Sequence, residues 1–332
     1  FYPTSGGQPS DRGSICGIPV IGVEMREEDG SIVHVVGEDL TADQGNGQVV
    51  WERRCDHMQH HTGQHILSAA CVQLLDAETV SFHMGSEMCT IDLDKSRIPS
   101  EAMEPVESLV NLVIWEDRNV TTRFADPSEV EGLDLRNPPT LDGPVRLVEV
   151  AGLDINPCGG THIARTGEIG LLKIVRLDYR GTETRVEFLC GARAVRDYHR
   201  KNETLLQLAG KLTVGYWELG DAVTRLQQEF KTMQRELRTV RERALQSEAA
   251  HCIDRAIEVG DVRVVRDVWE ARDPGELRAL AQGIVAHPGM IAMLASQGDR
   301  TSICIARSEG LESDAVTLLQ AACEQLGGKG GG

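Results

Sequence analysis

The sequence has no apolar run approaching the roughly 18 residues that cross a bilayer, and no signal peptide is visible at its start. Membrane and secretory readings are therefore set aside, and a cytoplasmic location is expected. A disulfide framework is also missing, because nine cysteines are an odd number and lie scattered along the chain, as reduced thiols do. Positive charge is scarce: 34 basic side chains face 51 acidic ones, for a net charge of −17. Such a chain repels phosphate at long range, so a nucleic-acid partner requires locally concentrated cations. Lysine supplies few of them, at 6 residues against 28 arginines, and arginine is the better partner for bidentate phosphate contact. The candidates are Arg53 and Arg54, and a second group of Lys173, Arg176, Arg180 and Arg185 on an expected hairpin.

What the chain does have is paired metal donors. His61 and His65 stand four apart in a helical pattern, so both imidazoles lie on one face, one turn apart. Cys158 and His162 repeat the spacing in Pro157-Cys-Gly-Gly-Thr-His, where Gly159 and Gly160 can fold the two side chains toward a common point. Three imidazoles and one thiolate suit zinc, at about 2.0–2.1 Å from nitrogen and about 2.3 Å from sulfur. His57, one turn before His61, and His60 are the alternative donors, ranked below these four. A metalloprotease helix needs a glutamate directly after the first histidine, and Thr62 stands there instead.

The organisation reads as α+β. Residues 1–55 carry short Val and Ile runs between Gly and Pro, the pattern of a small N-terminal β-barrel. Residues 56–192 form an α+β metal-binding core, opened by a helix from about Asp56 to Leu75 with Asp56 as its cap. Residues 193–250 read as a helical hairpin or coiled-coil arm, because Leu219, Val223, Leu226, Phe230, Met233, Leu237, Val240 and Ala244 alternate steps of four and three. Residues 251–332 alternate strand and helix as a small α/β domain.

The opening Phe1-Tyr-Pro-Thr-Ser-Gly-Gly-Gln-Pro-Ser-Asp-Arg-Gly, the run His61-Thr-Gly-Gln-His-Ile-Leu-Ser and the run Asn156-Pro-Cys-Gly-Gly-Thr-His, in this order, resemble the freestanding alanyl-tRNA editing proteins. These are relatives of the editing region of alanyl-tRNA synthetase. The likeness continues through Thr166-Gly-Glu-Ile-Gly-Leu-Leu-Lys-Ile, Arg185-Val-Glu-Phe-Leu-Cys-Gly and Gly327-Gly-Lys-Gly-Gly-Gly, and so covers most of the chain. It implies hydrolysis of the ester joining serine or glycine to tRNA for alanine, with zinc held by His61, His65, Cys158 and His162. It also implies a substrate-binding glycine motif at Gly6 and Gly7, with Gln8 beside them, and a C-terminal domain that binds tRNA or forms a homodimer. Thr62, Gln64, His83 and Ser86 are then candidates to hydrogen-bond a serine hydroxyl or the attacking water, the first three as catalytic residues and Ser86 as a substrate contact.

Two departures stand out. Pro3 and Thr4 favour the freestanding form over a synthetase, and the segment His83-Met-Gly-Ser differs from the synthetase's glutamine-containing version. The chain begins without Met and stops in a glycine run, so continuation beyond both ends is expected. Two alternatives remain: a fragment of alanyl-tRNA synthetase, and a non-catalytic RNA-binding module with structural zinc. Nothing in the 332 residues resembles an aminoacylation core.

Overall fold

The short Val and Ile runs build a first antiparallel sheet from β1 (Gly13–Ile15), β2 (Ile18–Met25), β3 (Ile32–Val36) and β4 (Gly47–Val49), in the order β3-β2-β1-β4. In the computed structural model, which describes residues 1–41, 44–133, 135–136, 143–298 and 301–329, this sheet is open. The expected N-terminal barrel is thereby corrected. β1 and β4 have three residues each, too few to carry the stagger by which tilted strands close a cylinder.

Helix α1 (Trp51–Leu75) begins five residues before Asp56, after Val50 in extended conformation and without a side-chain cap. The expected cap at Asp56 is also corrected: this residue lies inside the helix and its carboxylate accepts from Arg193. Of the apolar positions that the spacing predicts, Ile66, Leu67 and Ala70 are fully buried, whereas Leu74 in the last turn is exposed. Gly63 lets the helix approach its neighbour, since a Cβ there would lie 2.5 Å from Cys190 Sγ. Asp76, in the left-handed region at φ +50°, turns the chain out and satisfies the carbonyls of Cys71 and Val72.

The chain continues through β5 (Thr79–Met84), β6 (Cys89–Leu93), α2 (Ser100–Trp115), β7 (Val120–Ala125), α3 (Pro127–Val130), β8 (Val145–Val150), β9 (Asp154–Pro157), β10 (Leu172–Arg180), β11 (Glu183–Cys190) and α4 (Gly191–Leu212). An antiparallel sheet of order β10-β11-β6-β5 carries α1 and α2, and a second antiparallel sheet of order β7-β8-β9 adds Val120, Val148 and Val150 to the same core. Helix α2 turns Met103, Val106, Val110 and Val113, at steps of three and four, into the shared core. Complete burial of each valine contributes about 1.5–3 kcal/mol.

The chain divides into two compact units, Phe1–Gln207 and Leu208–Gly332. The second contains α5 (Leu219–Asp254), β12 (Ile257–Val259), β13 (Val262–Glu270), α6 (Pro274–Val285), β14 (Met290–Gln297), β15 (Ser302–Arg307) and α7 (Ala315–Leu326), with its sheet in the order β12-β13-β14-β15. β13 and β14 are parallel and joined by α6, whose Leu277, Leu280, Ala281 and Ile284 enter the core with Ala249 and Cys252 from the end of α5. Along the heptad seam of α5, Leu226, Phe230, Met233 and Leu237 lie exposed. Gly330 to Gly332 of the terminal glycine run fall outside the described residues. No described helix is long and apolar enough to cross a membrane.

Candidate metal centre

The ligand atoms of His61, His65, Cys158 and His162 lie within 4.8 Å of one another, so the structure brings together the four donors expected from spacing. Helix α1 supplies the first two from successive turns, and the turn after β9 supplies the others. Cys158 Sγ is 3.3 Å from His61 Nε2 and 3.3 Å from His162 Nε2. Both distances are a little shorter than the edge of about 3.6 Å between sulfur at about 2.3 Å and nitrogen at about 2.05 Å in a tetrahedron. Gly160 makes the approach possible, because a Cβ there would lie 2.0 Å from His61 Cε1.

Neighbouring groups fix each ring. The backbone N–H of Thr161 donates to Gln8 Oε1, so that atom is the amide oxygen and His61 Nδ1, 2.9 Å away, must be its N–H donor. This leaves the lone pair of His61 on Nε2, facing Cys158. Gln8 Nε2 donates to Thr161 Oγ1, so one fully buried amide ties the N-terminal segment, α1 and the ligand turn together. His162 Nδ1 lies 3.1 Å from Thr62 Oγ1, which also accepts from the backbone N–H of Ile163. That hydroxyl is fully buried and fixes the ring with Nε2 toward the thiol. His65 Nδ1 lies 3.7 Å from Asp154, too long for a hydrogen bond but close enough for ionic attraction.

The electrostatics favour a cation. Burial opposes ionisation of Cys158, but His162, His61 and His65 outweigh it and hold the thiol down to about 2, so it is a thiolate. The backbone N–H of Gly160 also points at the sulfur, 3.3 Å away. Burial opposes a charged His65, yet the Asp154 carboxylate and the thiolate pull it up to about 9. Burial holds His162 down to about 3, against the pull of Cys158. Thiolate and neutral imidazole are the donor forms that zinc takes, so a metal would displace the proton held on His65, and its charge would meet the negative potential of Cys158 and Asp154.

His57 and His60 stand apart from the cluster. His60 accepts from the backbone N–H of Cys190 at Nε2 and places Nδ1 2.7 Å from the carbonyl of Asp56, a fully structural arrangement. Burial, then the charge of Arg53, hold buried His57 down to about 4.

A cleft of about 310 Å³ opens beside the donors, lined in part by Gly6, Gln64, Thr79, Phe82, Arg136 and Asn156. Gly6 and Gly7 have φ of +55° and +77° between Ser5 and Gln8, whose backbones exchange two hydrogen bonds. This tight type I′ turn needs glycine, and Gly7 lies on β5, where a Cβ would be 2.9 Å from the carbonyl oxygen of Phe82. Gln64 donates to Ser68, whose hydroxyl lies 2.6 Å from that of Thr79, forming a polar chain along the wall. His83 and Ser86 are exposed and do not line the cleft, which takes Thr79, Val80, Ser81 and Phe82 from β5 instead.

The bracing role of Gln8 and the contributions of Phe82, Asp154 and Arg136 were not read from sequence. Period-two alternation on β9 was a usable signal for Asp154, since residues 154, 156 and 158 share a face. Arg136, which donates to Asp154 at 2.9 Å, carried no such signal.

The α+β fold presents a four-donor cluster of His61, His65, Cys158 and His162 that could hold a metal ion. Residues 145–187 match the family described as the threonyl and alanyl tRNA synthetase second additional domain. The chain is 30% identical over its whole length to the alanyl-tRNA editing protein AlaX-L of Pyrococcus horikoshii, spanning 83% of that relative. It is 33% identical to the alanyl-tRNA editing protein Aarsd1-A of Xenopus laevis over 71% of this chain and 58% of that one. An alanine–tRNA ligase of Pyrococcus abyssi is 28% identical across the full chain, which spans 37% of the ligase. The chain belongs to the family of alanyl-tRNA editing proteins, whose relatives include alanine–tRNA ligase.

Proposed function

We propose that the chain removes serine and glycine from mischarged tRNA for alanine by hydrolysing the aminoacyl ester in the cleft beside a zinc ion held by His61, His65, Cys158 and His162. The observation that carries this reading is the four-donor cluster, with His61 and His65 buried and Cys158 and His162 half-buried, braced by Gln8 beside the glycine turn. The likeness to alanyl-tRNA editing proteins supports the substrate class. At about 310 Å³ the cleft is at the lower end for small-ligand sites, matched to an amino acid and its ester rather than to a nucleotide stem.

Zinc, when bound, supplies Lewis-acid polarisation of the ester carbonyl or an anchor for the substrate's amino or ribose group. The protein's own groups do the rest. Gln8 holds His61 in one tautomer, Thr62 holds the His162 ring, and Asp154 attracts the His65 edge. Gly6 and Phe82 bound the space for the substrate, and Gln64 with Thr79 presents polar atoms to its side chain. A seryl hydroxyl can pair with that wall, whereas the methyl of alanine leaves it unpaired at a cost of about 1–3 kcal/mol, a factor of roughly 5–150. Glycine lacks the handle and is separated from alanine by steric fit alone. The ester is already activated, so positioning of water supplies much of the acceleration.

The test is release of labelled amino acid from seryl-, glycyl- and alanyl-tRNA for alanine by the wild type and by His65→Ala and Cys158→Ala. The expected result is loss of serine and glycine with alanine spared, abolished in both variants. No release by the folded, zinc-loaded wild type overturns the reading.

A further inference from the structure

The net charge of −17 makes the approach of any RNA unfavourable unless one face is locally reversed. Most of the cations suggested by sequence are neutralised internally. Arg54 is locked onto buried Asp11, Arg185 onto Asp92, Lys173 onto Glu107 and Arg180 onto Asp178. One group in the first unit is different. Arg12 after the glycine turn, Arg53 at the start of α1, and Arg193 and Arg196 at the start of α4 line a groove of about 850 Å³ with exposed Trp51.

The carboxylates in the groove are Glu52 and Asp56, so four guanidinium groups face two acids, a local balance of +2. Asp56 is already taken by Arg193. Among the described residues neither Arg12 nor Arg196 enters an ion pair, and both are exposed. Arg53 is half-buried and oriented by donating from Nε to the carbonyl of Ser10; burial and the charges of Arg12 and Arg193 lower its pKa, and Asp11 and Asp56 offset part of that. Like charges brought together and only partly compensated are what an anionic partner relieves.

The groove is also placed for the substrate. Arg53 precedes His61 by eight residues of one helix, about 12 Å along its axis. Arg12 follows Gln8 by four residues, and Arg193 donates to the carbonyl of Gly85 at the end of β5, whose Phe82 forms the cleft wall. A strand whose terminal ester occupies the cleft therefore passes the arginines within a few nucleotides. Trp51, 64% exposed, offers a flat surface on which a base can stack.

We propose that the groove of Arg12, Trp51, Arg53 and Arg196 binds the sugar-phosphate backbone of the tRNA acceptor end as it enters the cleft. This rests on the editing reading for the identity of the RNA, but not on hydrolysis. Binding of uncharged tRNA for alanine to the full chain, followed by fluorescence anisotropy across a salt series, tests it separately.

Arg12→Glu and Arg196→Glu should each weaken binding about tenfold, the range of a charge-assisted contact, and each lost phosphate contact should lower the slope of log affinity against log salt by about 0.7–0.9. Trp51→Ala should weaken binding with the slope retained, because stacking releases no counterions. Arg26→Glu, on the β2–β3 hairpin where Arg26 pairs with Asp29, makes the same change in net charge and should stay within twofold of wild type. A double Arg12→Glu, Arg196→Glu protein that binds within twofold of wild type at an unchanged slope overturns the groove, while deacylation by the wild type would leave the editing reading intact. A loss confined to the groove variants in a protein that deacylates nothing supports the groove and removes the editing reading. Equal loss in Arg26→Glu reduces the effect to net charge and also overturns the groove.

Discussion

A methyl group at position 160 would meet the imidazole of His61. The Cβ of alanine there would lie 2.0 Å from Cε1 and 2.3 Å from Nδ1, where an ordinary contact begins near 3.4 Å, so the ring must retreat by the difference, about 1.4 Å. Metal–ligand distances tolerate about 0.2 Å. The retreat also stretches the 2.9 Å bond from His61 Nδ1 to Gln8, removing the brace that fixes the tautomer. Gly160 is not in the left-handed region, so alanine adds crowding without backbone strain. Loss of an orienting partner alone costs about 10–100-fold in metal affinity, and displacement of a ligand should exceed that, giving at least about a 100-fold loss for Gly160→Ala. Gly159→Ala is the matched control, because nothing lies within 4 Å of its Cβ, and it should stay within about threefold. Competition of the purified proteins against a chromophoric zinc chelator measures both, with circular dichroism confirming that they are folded. Wild-type affinity in Gly160→Ala would refute the steric argument, and equal losses in the two variants would show that the turn responds to any added side chain.

Other perturbations follow from the same contacts. Gln8→Leu keeps the volume but leaves the Thr161 N–H and His61 Nδ1 unpaired, so zinc affinity should fall about 10–100-fold in the same competition assay, with Gln8→Glu retaining more. Gly63→Ala places a Cβ 2.5 Å from Cys190 Sγ and should lose about 1–2 kcal/mol in urea unfolding, because overpacking exceeds the gain in helix propensity. Gly210→Ala, with open space around its Cβ, should be neutral or slightly stabilising. Asp92 is held below the ordinary carboxylate range chiefly by Arg185, and Asp11 by Arg54 and the Tyr2 N–H against the effect of burial. Their stabilisation should be complete above about pH 4 and lost as pH falls toward the depressed folded values, because the unfolded chain takes up those protons first. The urea midpoint should therefore drop as pH falls below about 4, and more shallowly in Asp92→Asn; an unchanged profile in that variant contradicts the assignment.

The donor set was legible because a spacing of four on a helix and a Gly-Gly turn each constrain where side chains can point, and two such pairs leave little freedom. The strand around Val20 was legible from its β-branched run for a similar local reason. Features resting on distant partners were not. Asp56 reads locally as a cap but bonds Arg193, 137 residues away, and helix α1 starts at Trp51 without any capping side chain. Barrel closure depends on whether the edges at β3 and β4 pair, which strand propensity does not encode. Gln8 was picked out with the glycine motif, yet its buried amide reaches Thr161 across 153 residues and holds His61.

The most direct test of the central claim is single-turnover deacylation of seryl-tRNA for alanine by metal-stripped protein titrated with zinc. The account predicts negligible release without metal, a linear rise to one equivalent and a plateau there, with Cys158→Ala flat throughout. Full release by the stripped protein, or by Cys158→Ala, would contradict it.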